Sequence, residues 1–554
     1  MNHLRSCTLL TLAALLLAAV LAGVTLFRPY KNSPDIRSDG VGYHIWAHAM
    51  AHGDLSFCQY RPLLRPVQAI SAQSADGRRC KNKYPPGVGL LQLALSWPVL
   101  ADQPNETGFS VGENRVVLWG GALLLFASAT LMGRVLVRRG ASPWVTLVAL
   151  SAFIFGTGLF HYATYDASFS HIYSTFGVSF AMWLVYERRS LSPGRLVVFA
   201  MVVAWLYTVR QTNAALGLAI VYVYVRHASG ADRWRVPMAW FAGTAVSVLL
   251  LLAYSQYAGG SATISNYGDE AFTSFGGHAF DVLLSYERGA FTYYPLLMVA
   301  LVLAAWRWRA PENHTFIALV GLFAMLYGSW HAWSLGSGFG HRGFVELAPF
   351  GIVVLATGLS DLPSRPRHVC LVLTGLCCAV TILAMSAYWR GTLPLRGTVA
   401  FQYWQSLSPI RLPEHPPIQY TADDVRHLNL KVDRASPDGD GVWTVKVIVV
   451  NTSPSTVFHG VSGAYAPLNM SWRLVGVGAS LGAGWDQRID LPALEPGESQ
   501  SVTISVPGPD AAVPGQHLQL AIVQEGVFWS HGIGVPPVSV PWTRDATASM
   551  NKME

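Results

Sequence analysis

Charge is scarce in this chain. Asp, Glu, Lys and Arg supply only 12% of 554 residues, while hydrophobic residues supply 52%. A string of soluble domains of that length would need more polar surface, so several runs approaching ~20 apolar residues read as bilayer crossings. The net charge of +7 is no nucleic-acid footprint, because much of it falls in short clusters between hydrophobic runs. There is neither an internal repeat nor a low-complexity tract. The six cysteines are also too dispersed to be one group: Cys7 begins the first apolar run, and Cys370, Cys377 and Cys378 lie in the last, where they read as inert packing residues.

What is present is a polytopic helical pattern. Expected spans are 7–27, 115–134, 143–162, 171–187, 196–209, 212–226, 237–257, 290–306, 315–331, 345–360 and 368–388. The first has an apolar core too long for a usual cleaved signal and reads as an anchor. The stretch 196–226 is interrupted by Arg210-Gln211-Thr212-Asn213 and reads as two short helices, with one long helix as the alternative. Arginine clusters at 134–139, 188–195, 226–235, 307–309 and 365–367 place the alternate turns inside, with the N-terminus cytoplasmic. The loops 28–114, 163–170, 258–289 and 332–344, and all after Arg390, then lie outside. Cys58 and Cys80 share that oxidising side, which suits a disulfide.

After residue 410 the texture becomes strand-like. Apolar–polar alternation in Trp443–Val450, Ser501–Val506 and Leu518–Val523, separated by Gly- and Pro-containing turns, predicts an all-β sandwich of immunoglobulin-like size. The expected organisation is a membrane domain over 1–390, a linker over 391–415, the outer sandwich over 416–545 and a tail over 546–554.

The candidate chemistry is organised around the first outer loop. That loop opens with Ser38-Asp39-Gly40-Val41-Gly42-Tyr43-His44 and closes with Lys81-Asn82-Lys83-Tyr84-Pro85-Pro86-Gly87. A carboxylate at a membrane boundary can act as a general base. Arginines there suit a phosphate, whose oxygens the guanidinium fork holds bidentately. Asp166 in the second outer turn, Arg210 at the helix break, Arg288-Gly289 before Tyr293-Tyr294-Pro295, and Arg342 after a Gly-rich, Trp-rich stretch complete the set. Each alone also fits an interfacial or snorkelling residue. His44 and His48, one helical turn apart, could with Asp39 or Asp166 ligate a divalent metal, and the sequence calls for no other cofactor.

These residues resemble the GT-C superfamily of membrane glycosyltransferases, on the branch of the protein O-mannosyltransferases and the aminoarabinose transferase of lipid A. The resemblance covers roughly residues 7–390 and lies in the order of elements more than in a strict motif. It implies an inverting transfer of a hexosyl or pentosyl group from a polyprenyl-phosphate donor to a glycan, lipid or protein acceptor outside a bacterial inner membrane. It also implies Asp39 as the acidic catalytic residue, with Asp166 as a candidate second one, and Lys83, Tyr84, Arg210 and Arg342 at the donor phosphate, with Tyr43 and Arg288 as further substrate contacts. Gly40 stands where some members carry a second acidic residue. No nucleotide-sugar site or nucleic-acid partner is expected. The rival readings are a flippase for a lipid-linked glycan, against which the lack of repeated halves argues, and a noncatalytic assembly scaffold.

Overall fold

The computed structural model describes residues 34–543. Within that range it leaves out 65–66, 101–103, 105–108, 187–190, 231, 265–266, 268–269, 337, 391, 394–397, 399, 408–419, 440–441, 455–456, 458–467, 477–484, 486, 492–493, 510–514 and 525–527. The expected anchor 7–27, the tail 546–554 and the later part of the linker lie outside the described residues. Two compact units divide the chain, Met1–Thr398 and Val399–Glu554.

The first unit is helical. Its main elements are α1 (Asp39–Ala51), a hairpin of β1 (Ile70–Gln73) and β2 (Cys80–Asn82), α2 (Gly87–Ser96), α3 (Val111–Arg138), α4 (Pro143–Phe155), α5 (Leu159–Thr164), α6 (Ser170–Tyr186), α7 (Pro193–Val209), α8 (Asn213–His227), α9 (Asp232–Gly259), α10 (Leu296–Trp306), α11 (Pro311–Gly328), α12 (Ala348–Asp361) and α13 (Ser364–Trp389). Among the described residues, four helical stretches are long and apolar enough to cross a membrane: Val111–Arg138, Arg233–Gly259, Arg342–Asp361 and Ser364–Trp389. The expected count of eleven is therefore not reproduced as eleven long helices. Several candidates sit on helices of 10–17 residues, because the chain interrupts them locally. α4 ends at Gly156, and Pro295 separates the turn Ala290–Tyr293 from α10. The polar break at 210–212 ends α7 with Arg210 in an extended conformation, and α8 starts afresh at Asn213.

Burial separates the long helices. The apolar window of Arg342–Asp361 is 89% buried, whereas that of Arg233–Gly259 is 22% buried. Arg342–Asp361 is thus the central strut. The outward faces of α9 and α13 carry exposed Met238, Phe241, Leu249, Val369, Val372 and Leu376. In water such continuous apolar surface would be costly, whereas lipid is a suitable solvent for it.

Capping sets the start of α3. The Ser110 side chain accepts from the Glu113 N–H, and Glu113 reaches back to the Ser110 N–H. This S-x-x-E box satisfies two orphan donors and fixes the Glu113 carboxylate at the helix mouth. In the first long loop, Cys58 and Cys80 are joined as a disulfide with their Cα atoms 4.9 Å apart, tying the hairpin to the segment after α1.

The second unit is a β-sandwich. One sheet runs β3 (Leu428–Gly439), β4 (Val442–Asn451), β7 (Ser499–Pro507); the other runs β10 (Val538–Pro541), β8 (His517–Gln524), β5 (Leu468–Val475), β6 (Ile489–Asp490), with β9 (Phe528–Trp529) on β8. The antiparallel pairing sets Val445 opposite Ile504 and Trp472 opposite Leu520. Period-two alternation aims Val445, Val447 and Val449 of one sheet at Leu468, Met470, Leu518 and Leu520 of the other, where all are buried in one core.

Candidate functional site

The chain enters α1 through a tight turn. The Arg37 carbonyl accepts from the Gly40 N–H at 2.9 Å, and Ser38 has φ 49° and ψ −128°, the first central position of a type II′ turn. Asp39 follows it, half-buried. Its Oδ1 accepts from the Tyr84 hydroxyl at 2.9 Å, and its Oδ2 lies 2.7 Å from Arg342 Nη1. The side chains of Arg342 and Asp39 remain 13% and 23% exposed, so the pair is reachable from outside the protein. Arg342 also covers the Phe169 ring at 5.2 Å and leaves its Nε without a partner.

Glycine makes this closeness feasible. A Cβ on Gly42 would overlap the Tyr84 ring, and one on Gly40 would overlap the Ser168 side chain. The Gly-Val-Gly spacing thus presses α1 against both neighbours.

Three further groups converge here. Arg210 donates to Glu346 Oε1 and to the Tyr327 hydroxyl, each at 3.2 Å, and His171 Nδ1 is 3.1 Å from both Arg210 Nη1 and Glu346 Oε1. Lys83 Nζ lies 2.5 Å from Glu270 Oε1 and faces the rings of Tyr84 and Tyr267. Tyr43 stacks obliquely on Tyr84 at 4.8 Å. Burial raises the Tyr43 pKa, the charges of Arg210 and Arg342 pull it back, and Asp39 raises it, which places all four groups in one electrostatic neighbourhood. Tyr84 is raised by burial and then by the Asp39 charge. Both tyrosines therefore remain phenols and hydrogen-bond donors at neutral pH.

An apolar cleft of about 580 Å³ opens beside α11, lined by Phe272, Phe275, Leu322, Met325 and Leu326. Ring contacts run inward from it: Phe272 to Trp330 at 5.1 Å, Trp330 to Tyr267 at 5.7 Å, and Tyr267 to Tyr84 at 6.5 Å. The aromatic path ends on the side chain that hydrogen-bonds Asp39.

Asp39, Tyr43, Lys83, Tyr84, Arg210 and Arg342 are thus assembled together, and the structure does not bring the other expected residues into that assembly. Asp166 is fully buried. Both its oxygens accept from Arg37 at 2.9 Å, and Oδ2 also accepts from His161 at 3.0 Å. Trp389 donates to His161 Nδ1 at 2.7 Å, which leaves the His161 proton on Nε2, facing Asp166. A carboxylate so saturated has no oxygen for a substrate. Arg288 is fully buried too, donating to the Glu287 and Gly336 carbonyls. Lys81, two residues before Lys83, instead donates to Ser255 and Thr263, and burial lowers its pKa.

The metal expectation needs correcting as well. His44 and His48 share a helix face, but Asp39, five residues before His44, points elsewhere. Their partner is Glu113: its Oε1 lies 3.1 Å from His44 Nε2 and is hydrogen-bonded to His48 Nε2. Glu113, Glu270, Glu346 and Arg37 were not singled out from the sequence. A carboxylate at the start of an apolar run marks Glu346, and the S-x-x-E pattern marks Glu113. Glu270 has no local signal.

No protein-family model matches the chain, and no curated protein matches it. Among solved structures it is similar to the oligosaccharyltransferase of Archaeoglobus fulgidus in complex with Zn and sulfate, at 14% identity and a TM-score of 0.42, over 68% of this chain and 53% of that one. It is also similar to the oligosaccharyltransferase AglB from the same organism with an inhibitory peptide and a dolichol-phosphate, at 12% identity and a TM-score of 0.42, over 68% of this chain and 56% of that one. The chain spans little more than half the length of those archaeal proteins. At this level of likeness no family or activity follows.

Proposed function

We infer that the chain is a membrane glycosyltransferase of the GT-C kind, moving a sugar from a polyprenyl-phosphate donor to an envelope glycan, lipid or protein acceptor outside a bacterial inner membrane. The observation that carries this reading is the incompletely satisfied Asp39–Arg342 pair, bordered by Arg210 and Lys83 and linked by aromatic rings to an apolar cleft. A polyprenyl chain suits the cleft, and a phosphate suits the cations beside Tyr84 at the far end of the ring path.

In this mechanism the donor phosphate takes the forks of Arg342 and Arg210 together with the Lys83 ammonium, each a charge-assisted contact. Arg342 then no longer neutralises Asp39. The freed carboxylate, still held by Tyr84, removes the proton from an acceptor hydroxyl. The acceptor oxygen bonds to the anomeric carbon as the bond from that carbon to the phosphate oxygen breaks. The anomeric configuration inverts and polyprenyl phosphate leaves. Asp166 acts by positioning: it anchors Arg37, and thereby the turn that presents Asp39.

Purified protein incubated with radiolabelled polyprenyl-phosphate sugars and an envelope extract should consume donor without a membrane gradient. Donor that is never consumed, but moves between leaflets of a liposome, would replace this reading with the flippase.

A further inference from the structure

We propose that His44, His48 and Glu113 bind a divalent metal, zinc by their chemistry, which staples the helix carrying Asp39 to the mouth of α3. Among the described residues this is one group whose ligand atoms all lie within 4.8 Å of one another, and all three side chains are buried. Ligands at ~2 Å from a tetrahedral zinc stand roughly 3.3 Å apart, so a small adjustment accommodates the ion. Two imidazoles and one carboxylate are a zinc donor set, with a water completing the coordination.

A second observation fixes the direction of a lone pair. Gln92 Nε2 donates to the Tyr173 hydroxyl at 2.8 Å, so its Oε1 is the acceptor for His44 Nδ1–H at 2.9 Å. In a neutral imidazole that leaves the His44 Nε2 lone pair aimed at Glu113 Oε1, 3.1 Å away. Two lone pairs facing each other at that distance need a positive charge between them, which a proton on His44 or a metal ion supplies, and the nearby His48 makes the metal the choice that uses all three groups. The other Glu113 oxygen is already committed, accepting from the Ser110 N–H at 2.9 Å, so Oε1 is the one free to ligate. A second partner that orients a ligating histidine is a regular feature of metal sites. Phe109 closes the site against both rings, with centroids at 4.9 and 5.7 Å.

His44 and His48 belong to α1 and Glu113 to α3, so the ion would fix the position of α1, whose first turn bears Asp39. This inference does not rest on the transferase reading, and every measurement below is made without donor. Full-length protein in detergent, loaded with zinc and desalted, should retain about one zinc per chain by elemental analysis. Cobalt in its place should give the visible d–d bands of a tetrahedral site. Chelator should lower the melting temperature of the wild type but not of His48→Gln. Gln92→Ala leaves all three ligands in place and should weaken zinc binding by about 10–100-fold. Zinc absent from the loaded wild type, retained by a folded His44→Gln/His48→Gln protein, or lost instead in Asp39→Asn, would overturn the proposal. Should the histidine variants fail to fold, an unchanged zinc affinity in Gln92→Ala would overturn it equally.

Discussion

Two carboxylate–arginine pairs flank the same turn, and they are built differently. Asp166 is fully buried, takes both bonds of the Arg37 fork and adds His161. Asp39 is partly exposed, has one nitrogen of Arg342 and one tyrosine hydroxyl, and faces a guanidinium whose Nε is unused. The Asp166 carboxylate has nothing left to offer a ligand. The second pair has spare hydrogen-bonding capacity at an accessible place. Saturation marks structure, and incomplete satisfaction beside an entrance marks chemistry.

The sharpest break between the pairs is in turnover. Asparagine keeps the shape of Asp39 but cannot accept the proton, so Asp39→Asn should fold normally and lose about 10²–10⁴-fold in rate. Arg342→Ala should show itself in donor affinity, since each charged hydrogen bond to the phosphate contributes about 1.5–3 kcal/mol, or roughly 10–100-fold in KM. Titrating donor against both variants checks the split. A folded Asp39→Asn protein working at the wild-type rate would remove Asp39 as the base.

Stability should separate the pairs in the opposite sense. Asp166→Asn takes the charge and one acceptor oxygen from a fully buried carboxylate that serves both Arg37 and His161, and breaking such a pair costs on the order of 3 kcal/mol. Thermal unfolding in detergent should therefore show Asp166→Asn well below wild type and Asp39→Asn close to it. Equal melting temperatures for the two would mean that burial had not distinguished them.

The sequence made local features legible. The break at Arg210 and the β alternation of Val445, Val447 and Val449 each depend on neighbours within a few positions. What it could not supply were partners made by tertiary contact. Glu270 meets Lys83 across 187 positions and Glu346 meets Arg210 across 136, and no periodicity encodes such distances. The same limit hides the partners of Asp166, which reads as an available acidic residue until Arg37 and His161 are seen to occupy it. Eleven expected spans are not seen as eleven long helices among the described residues for a related reason. Short apolar helices packed against others need not cover a full bilayer by themselves, and hydropathy alone treats each as independent.

The smallest effect concerns the turn that joins the two pairs. Arg37, held by Asp166, is its first residue, and Asp39 is its third. Ser38 lies between them at φ 49° and ψ −128°, and its side chain makes no cap hydrogen bond to α1. A non-glycine residue held there costs about 1–3 kcal/mol, whereas glycine adopts the conformation freely but loses about 0.5–1 kcal/mol more in chain entropy on folding. Ser38→Gly should therefore stabilise by about 1 kcal/mol, raising the melting temperature by a degree or two in a chain of this size. The freer turn would also hold Asp39 less firmly against Tyr84, so turnover should fall a few-fold as the melting temperature rises, with donor KM unchanged. A lower melting temperature would mean that the serine hydroxyl contributes more than its backbone costs. A higher one with undiminished turnover would mean that Tyr84 and Arg342 alone aim the carboxylate.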